Sequence, residues 1–199
     1  MSRNHRRILD LARKTTIIRP RDVAALGIPR EYVRRMASSG QLTRVGRGLY
    51  ALPGAEVTAE RALAETARAA QRAVICLLTA LRFHGLTTQG PHEVWIAIEN
   101  KAWRPRVTPW QVRVVFMSGA AFRAGIETHR IEKIPVRIYS AAKTVADCFK
   151  YRNKIGLDVA VEALRDYLRR NRAGADEVWR YAKIDRVTRV IRPYLEAIA

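Results

Sequence analysis

Arg19–Leu52 reads RPRDVAALGIPREYVRRMASSGQLTRVGRGLYAL, and the fold of the N-terminal part turns on it. Pro20 suits the first turn of a helix, and Asp22 behind it complements the positive end of the helix dipole. Val23, Ala24 and Leu26 supply an apolar face. Gly27 ends the helix, and Ile28 is the apolar plug of the turn. Pro29 opens a second helix. Val33, Met36 and Ala37 recur at the spacing of a buried stripe, which turns Arg30, Glu31, Arg34 and Arg35 outward as a group. Ser38-Ser39-Gly40 closes it. Leu42–Val45 and Leu49–Leu52 alternate as short strands around Gly46-Arg47-Gly48, a hairpin tip with a cation at its end. Helix, turn, helix, hairpin is the order of a winged helix-turn-helix, whose second helix fits the major groove of duplex DNA.

Upstream, residues 3–14 place Ile8, Leu11 and Ala12 on one face of a support helix. Thr15–Arg19 is β-prone and suits a brief strand pairing with the hairpin. The charge of the chain agrees with a DNA partner. There are 37 Lys+Arg against 18 Asp+Glu, a net of +19, and 30 of the basic residues are Arg. Arg presents a planar fork of donors that matches phosphate and guanine edges, and a field this positive draws polyanions. Residues 1–52 hold 12 basic and 3 acidic residues, while the remainder, nearly three times longer, holds 25 and 15. The charge is therefore concentrated in the N-terminal part.

Pro53-Gly54 marks a boundary, giving a winged-helix domain over 1–53 and a second domain over 54–199. The second domain opens with two helical patterns, one from Glu56 through Ala70 and one over Val74–Phe83. Four strands are expected at Glu93–Ile98, Val112–Phe116, Ile126–Ile131 and Val136–Tyr139. Ser140 suits an N-cap for a helix to about Tyr151. Leu157–Arg169 is amphipathic, with Val161, Leu164 and Leu168 along one side, and two short helices finish the chain, Pro193 kinking or dividing the last. The fold class is α+β: a winged helix-turn-helix, then a mixed α/β domain with about four strands and C-terminal helices.

The residues of chemical interest sort unevenly. Arg30 and Arg34 are one turn apart, and either can pair bidentately with a guanine, worth ~1–3 kcal/mol of discrimination. Arg35 suits phosphate; Tyr32 is open between inward packing and donation to phosphate. Arg44 and Arg47 fit a wing on the backbone or in the minor groove. The histidines, His5, His84, His92 and His129, have no metal-ligand spacing, and no serine-hydrolase elbow or phosphate loop is present. Glu99-Asn100-Lys101 resembles half of a nuclease motif. However, there is no Asp between Asp22 and Asp147 to hold the metal, and Glu93 on the same strand is a poor substitute. Asp158, Glu162 and Asp166 run at i, i+4, i+8 on one helix face, which suits an acid/base or metal set but more often marks a solvated helix side, the reading that neighbouring Arg165, Arg169 and Arg170 favour. Lys143, Asp147, Lys150, Arg152 and Lys154 form a cluster with two readings: a binding surface for RNA, nucleotide or an acidic partner, or a helix with an internal Lys143–Asp147 ion pair. No catalytic residue, metal site or cofactor is expected. Cys76 and Cys148 form no CxxC pair, and no long apolar run follows the basic N-terminus. The expectation is a reduced, cytoplasmic protein with no signal peptide, membrane span or membrane partner.

Arg19–Leu52 resembles the winged-helix domain of the AbiEi antitoxins. VICLLTALRFHGLTTQGPHEVWIAI (74–98) looks like the start of their second domain, and SAAKTVADCFKYRNKIGLDVAVEALRDYL (140–168) is similar to its most typical segment. The resemblance implies a bacterial abortive-infection or type IV toxin–antitoxin module. In such a module the N-terminal domain represses its own promoter and the second domain counters a nucleotidyltransferase-like toxin without needing a stable complex. The partners implied are double-stranded DNA at inverted repeats and, functionally, that toxin. The DNA-bound state is expected to be a monomer or a weak dimer. The alternatives are an enzyme acting on nucleic acid through Asp147, Lys150 and Asp158, or a protein-interaction module, delivered by the winged helix.

Overall fold

The computed structural model describes residues 2–15, 17–46, 48–55, 58–90, 93–105, 107 and 112–198. These form two compact units: Met1–Arg72 with Pro105–Gln111 and His129–Val136, and Ala73–Arg104 with Val112–Thr128 and Arg137–Ala199.

The first unit begins with α1 (Arg3–Thr15), β1 (Ile17–Ile18), α2 (Pro20–Ala24) and α3 (Glu31–Ser38), followed by β2 (Thr43–Gly46) and β3 (Leu49–Ala51). The three strands form an antiparallel sheet in the order β1-β3-β2. The β-prone stretch before Pro20 does pair with the hairpin, Ile17 opposite Ala51 and Ile18 opposite Tyr50. Ile8, Ile18, Val23, Ile28, Val33, Met36, Leu42 and Tyr50 make one buried cluster under the helices. Burial of each large side chain there stabilises the unit by roughly 1.5–3 kcal/mol. Gly27 has φ +74°, a left-handed conformation open to glycine, and Ile28 N–H bonds back to Val23 O at 3.4 Å. That bond drops Ile28 into the cluster as the plug between the helices.

The unit continues past the wing. Thr58 caps α4 (Ala59–Ala69), its hydroxyl accepting from Arg61 N at 3.2 Å. The compact units part after Arg72, and the wing ends with β3 at Ala51. Arg61 and Glu65 are buried and paired at 2.8 Å on α4.

The second unit holds β4 (Val74–Ile75), α5 (Leu77–Phe83), β5 (Val94–Glu99), β6 (Val112–Met117), α6 (Gly119–Arg123), the start of β7 (Ile126–Ile131) and the end of β8 (Ile134–Tyr139); the stretch between them, His129–Val136, is counted with the first unit. The helices α7 (Ala141–Lys150), α8 (Arg152–Ile155), α9 (Leu157–Arg170), α10 (Ala175–Asp185) and α11 (Thr188–Ile198) complete it. The sheet order is β6-β5-β4-β8-β7, with β5 antiparallel to β4, and β6 and β8 parallel to their neighbours β5 and β4. Among the described residues it holds five strands, one more than expected. The additional strand, β4, lies where a helix through Val74–Phe83 was expected. It is two fully buried residues long, too short to show alternation, and the chain turns from it into α5 through Leu77 at φ +46°. β8 starts two residues earlier than expected and includes Pro135. β4 meets β8 only at Ile138, so the missing amide of Pro135 falls outside that pairing.

One buried cluster joins sheet and helices through Trp95, Met117, Phe122, Tyr139, Phe149, Leu164 and Tyr181. The Tyr139 hydroxyl donates to Phe122 O at 2.7 Å. On α9 the buried side is Val159, Ala160, Ala163, Leu164 and Tyr167; Val161 and Leu168 sit at its margin. Pro193 lies inside α11, which runs through it undivided. No helix of the described residues is long and apolar enough to cross a membrane.

Candidate nucleic-acid interface

The helix-turn-helix is positioned by a short polar network. Asp22 accepts from Arg19 N at 2.8 Å and from the Arg68 guanidinium of α4. The first contact caps α2; the second ties α2 to a helix 46 residues away in the chain. Arg19 sits among Arg21 and Arg68. Burial, with the push of those two cations, lowers it to about 10, so it stays charged at neutral pH.

From α3, Val33 and Met36 face the core, while Arg30, Glu31, Arg34 and Arg35 are all exposed. The expected outward group is therefore assembled. Tyr32 resolves toward packing: it is half-buried, the His5 ring meets it edge-on at 5.7 Å, and the Arg35 guanidinium lies 4.3 Å from its ring centre. Such a stack is worth ~0.5–1 kcal/mol at an exposed site, and it fixes where Arg35 points.

The wing pairs Thr43 with Ala51 and Arg44 with Tyr50, then shifts register before Gly46–Leu49. A cleft of about 530 Å³ runs between α3 and the wing, lined by Pro20, Arg34, Ala37, Ser38, Arg44, Gly48 and Tyr50. Arg34 and Arg44, expected from separate elements, thus share one cleft. Arg35 stands on the helix beside it, and Arg30 is the N-cap residue of that helix. Arg47 lies outside the described residues. Tyr50 and Ser38 were not singled out from the sequence. Tyr50 could have been found from the register of the hairpin, because it lies opposite Arg44.

The basic cluster of the second unit is a different matter. Lys143 and Asp147 are completely buried, so the expected surface there does not include them. The internal-pair reading is the one that forms: Lys143 bonds Asp147 and reaches Asp185 at 3.1 Å, and Lys150 reaches Asp185 at 3.4 Å. Burial, reinforced by Asp185, pushes Asp147 up to about 8 despite Lys143, and its Oδ2 has no partner. Burial alone would lower Lys143; the two carboxyls outweigh it, and its ammonium is raised. Arg152 donates to Phe149 O at 2.9 Å, closing the end of α7, and Lys154 is exposed over the Tyr151 ring. Asp185 lies 42 residues from Lys143, beyond any local pattern.

On α9, Asp158 is exposed, and Asp166 meets Arg169 at 3.1 Å. Among the described residues no group of three His, Cys, Asp or Glu is placed to hold a metal. His84 Nε2 donates to Tyr139 O at 2.8 Å, and His92 lies outside the described residues.

Residues 6–53 match the AbiEi_4 family model, described as transcriptional regulator, AbiEi antitoxin. The N-terminal winged helix is thus similar to that family's, and the match ends where the wing ends. No curated protein matches the chain. The crystal structure of the RV2827C protein from Mycobacterium tuberculosis is similar, with a TM-score of 0.57 at 14% identity, covering 100% of this chain and 83% of that one. The fold of both units is thus shared with a solved protein. The matched residues include Arg34 and Arg44 of the cleft just described.

Proposed function

We propose that this chain is a non-enzymatic DNA-binding repressor of its own operon and an antitoxin that counteracts a nucleotidyltransferase-type toxin. The observation that carries the reading is the coincidence of an AbiEi match over 6–53 with an exposed arginine face on α3 and a cleft shared by Arg34 and Arg44. Arg30 and Arg34 read bases in the major groove; Arg35, Arg44 and Arg47 hold phosphate or the minor groove. Tyr32 acts through Arg35. The second unit supplies the antitoxic function. Of the cluster centred on α7, only its outer members Lys150, Arg152 and Lys154 are available to a partner there.

Footprinting on the DNA upstream of the chain's own gene tests the repressor half. Protection of an inverted repeat, weakened evenly across sequences by Arg47→Ala with a flatter salt dependence, is expected. Uniform binding to any duplex, unaffected by Arg47→Ala, would refute it. Co-expression with the neighbouring gene tests the other half: growth arrest by that product, relieved by the full chain and still relieved when Arg34→Ala with Arg44→Ala abolishes DNA binding, is expected. Loss of relief in that variant would mean that the antitoxic function was assigned to the wrong unit.

A further inference from the structure

In the second unit, β6 ends the sheet among the described residues. Its register runs parallel to β5, from Val94 opposite Val112 to Glu99 opposite Met117. In a parallel ladder, alternate residues of a strand turn both backbone groups to the same side. Met117 O accepts from Asn100 N at 2.8 Å, on the β5 side. Phe116 O accepts from the Tyr151 hydroxyl at 3.1 Å, on the other. The outward residues are therefore Val112, Val114 and Phe116. Tyr151 takes the Phe116 carbonyl, and the amides and carbonyls of Val112 and Val114 have no partner among the described residues.

Edge strands are usually blunted by charge, proline or a bulge. β6 reads VRVVFM, with one charge, no proline and an unbroken register. An open cleft of about 430 Å³ follows it, lined by Glu93, Trp95, Arg104, Arg113, Lys154 and the strand itself. Three of those lining side chains are cationic, and the single carboxylate, Glu93, is paired with Arg113 at 3.0 Å. Both kinds of side chain flank the edge: Arg104 stands over the exposed Phe116 ring at 5.5 Å, Arg113 over Trp95 at 5.0 Å, and Lys154 over Tyr151 at 5.6 Å.

We propose that the β6 edge is a strand-addition site for an extended segment of a partner protein in which apolar and acidic residues alternate. Main-chain bonds to Val112 and Val114 hold the segment. Its acidic side chains meet Arg113 and Lys154 on one face of the sheet, and its apolar ones meet Val114 and Phe116 on the other. A second copy of this chain does not fit, because it would set Arg104, Arg113 and Lys154 against their own like charges. The site lies wholly in the second unit, so it stands or falls separately from the DNA-reading cleft.

The test titrates the full chain with a fluorescein-labelled octapeptide of alternating Val and Glu, read by anisotropy. Its Val/Lys counterpart and a Val/Glu peptide N-methylated on alternate amides serve as controls. Saturable binding of the Val/Glu peptide alone is expected, weakened at least tenfold by Val114→Pro and by N-methylation. Arg113→Glu with Lys154→Glu should shift preference to the Val/Lys peptide. N-methylation leaves the protein untouched, so it decides the matter even if Val114→Pro unfolds. Equal binding of the N-methylated peptide would overturn the proposal. So would no Val/Glu binding at millimolar concentration, or capture of an oligouridylate at this edge in place of either peptide.

Discussion

Replacing Lys143 by Met tests whether the buried charge network is what holds α7 against α10. The side chain is fully buried and bonds Asp147 and, at 3.1 Å, Asp185. Met keeps most of its volume and removes the ammonium. Asp185 then keeps only Lys150, itself 30% exposed, at 3.4 Å, and Asp147 loses the cation it was bonded to. Removing one member of a buried ion pair costs about 3–5 kcal/mol, because the remaining charge is left without compensation. The pH dependence gives the prediction its sign. Asp147 is raised to about 8, so the folded chain keeps a proton that the unfolded chain releases near its ordinary value of 3.8. Between those values the folded state binds more protons, and stability falls as pH rises. Lys143 is raised as well; its contribution is present throughout neutral pH and is lost only as pH climbs through its folded value. Urea unfolding followed by tryptophan fluorescence should show wild type losing stability from pH 5.5 to 8.5. Lys143→Met should lose the most at pH 8.5 and recover part of the deficit at pH 5.5, where its carboxyls take up protons. A loss under 1 kcal/mol, or a deficit equal at both pH values, would refute the reasoning.

Other substitutions probe the head. Arg30→Ala and Arg34→Ala should each relax base preference by ~1–3 kcal/mol, measured as the ratio of operator to random-duplex affinity, while Arg35→Ala should weaken both alike and reduce the salt slope by about 1. Asp22→Ala removes the acceptor for Arg19 N and the Arg68 tie. It should cost about 1–2 kcal/mol, read as a lowered unfolding midpoint and faster amide exchange at the start of α2.

How far these parts were legible depended on the range of the interactions that make them. The helix-turn-helix is local: Gly27, Ile28 and the stripe of Val33 and Met36 act within a few residues, and the chain names them in order. Ser140 is legible for the same reason, its hydroxyl reaching only to Lys143 N at 3.3 Å. β4 was not, because a two-residue central strand has no solvent face to alternate with, and Val74–Leu77 looks like any buried run. The fate of Lys143 was not either. Its i, i+4 partner Asp147 was visible, but the residue that makes the site an interior network, Asp185, comes from a helix beyond any periodicity. Asp22 shows the same limit at the head. Its capping role is local, whereas its bond to Arg68 arises only once α4 folds onto α2.

Glu31 carries the sharpest remaining consequence. At about 3.6 residues per turn, the outward direction opposite Val33 and Met36 falls nearest Glu31 and Ser38, with Arg34 and Arg35 on the two shoulders. An exposed carboxylate in that place faces the most negative part of the target. It gains only ~0.3–1 kcal/mol from the first turn of α3, too little to offset close phosphates. A carboxylate there is favourable if it accepts from the exocyclic amine of cytosine, a group the major groove presents at one kind of base pair only. Flanked by two arginines suited to guanine and phosphate, Glu31 would read the position between their contacts. Glu31→Ala should therefore lower operator affinity while raising affinity for random duplex, since a repulsion is removed everywhere and a bond is lost at one position. Binding to a panel of operators substituted one base pair at a time should show wild type discriminating at one position where Glu31→Ala does not. If Glu31→Ala strengthens binding to operator and random duplex equally, the carboxylate points at phosphate, and α3 enters the groove at a different angle from the one its buried face implies.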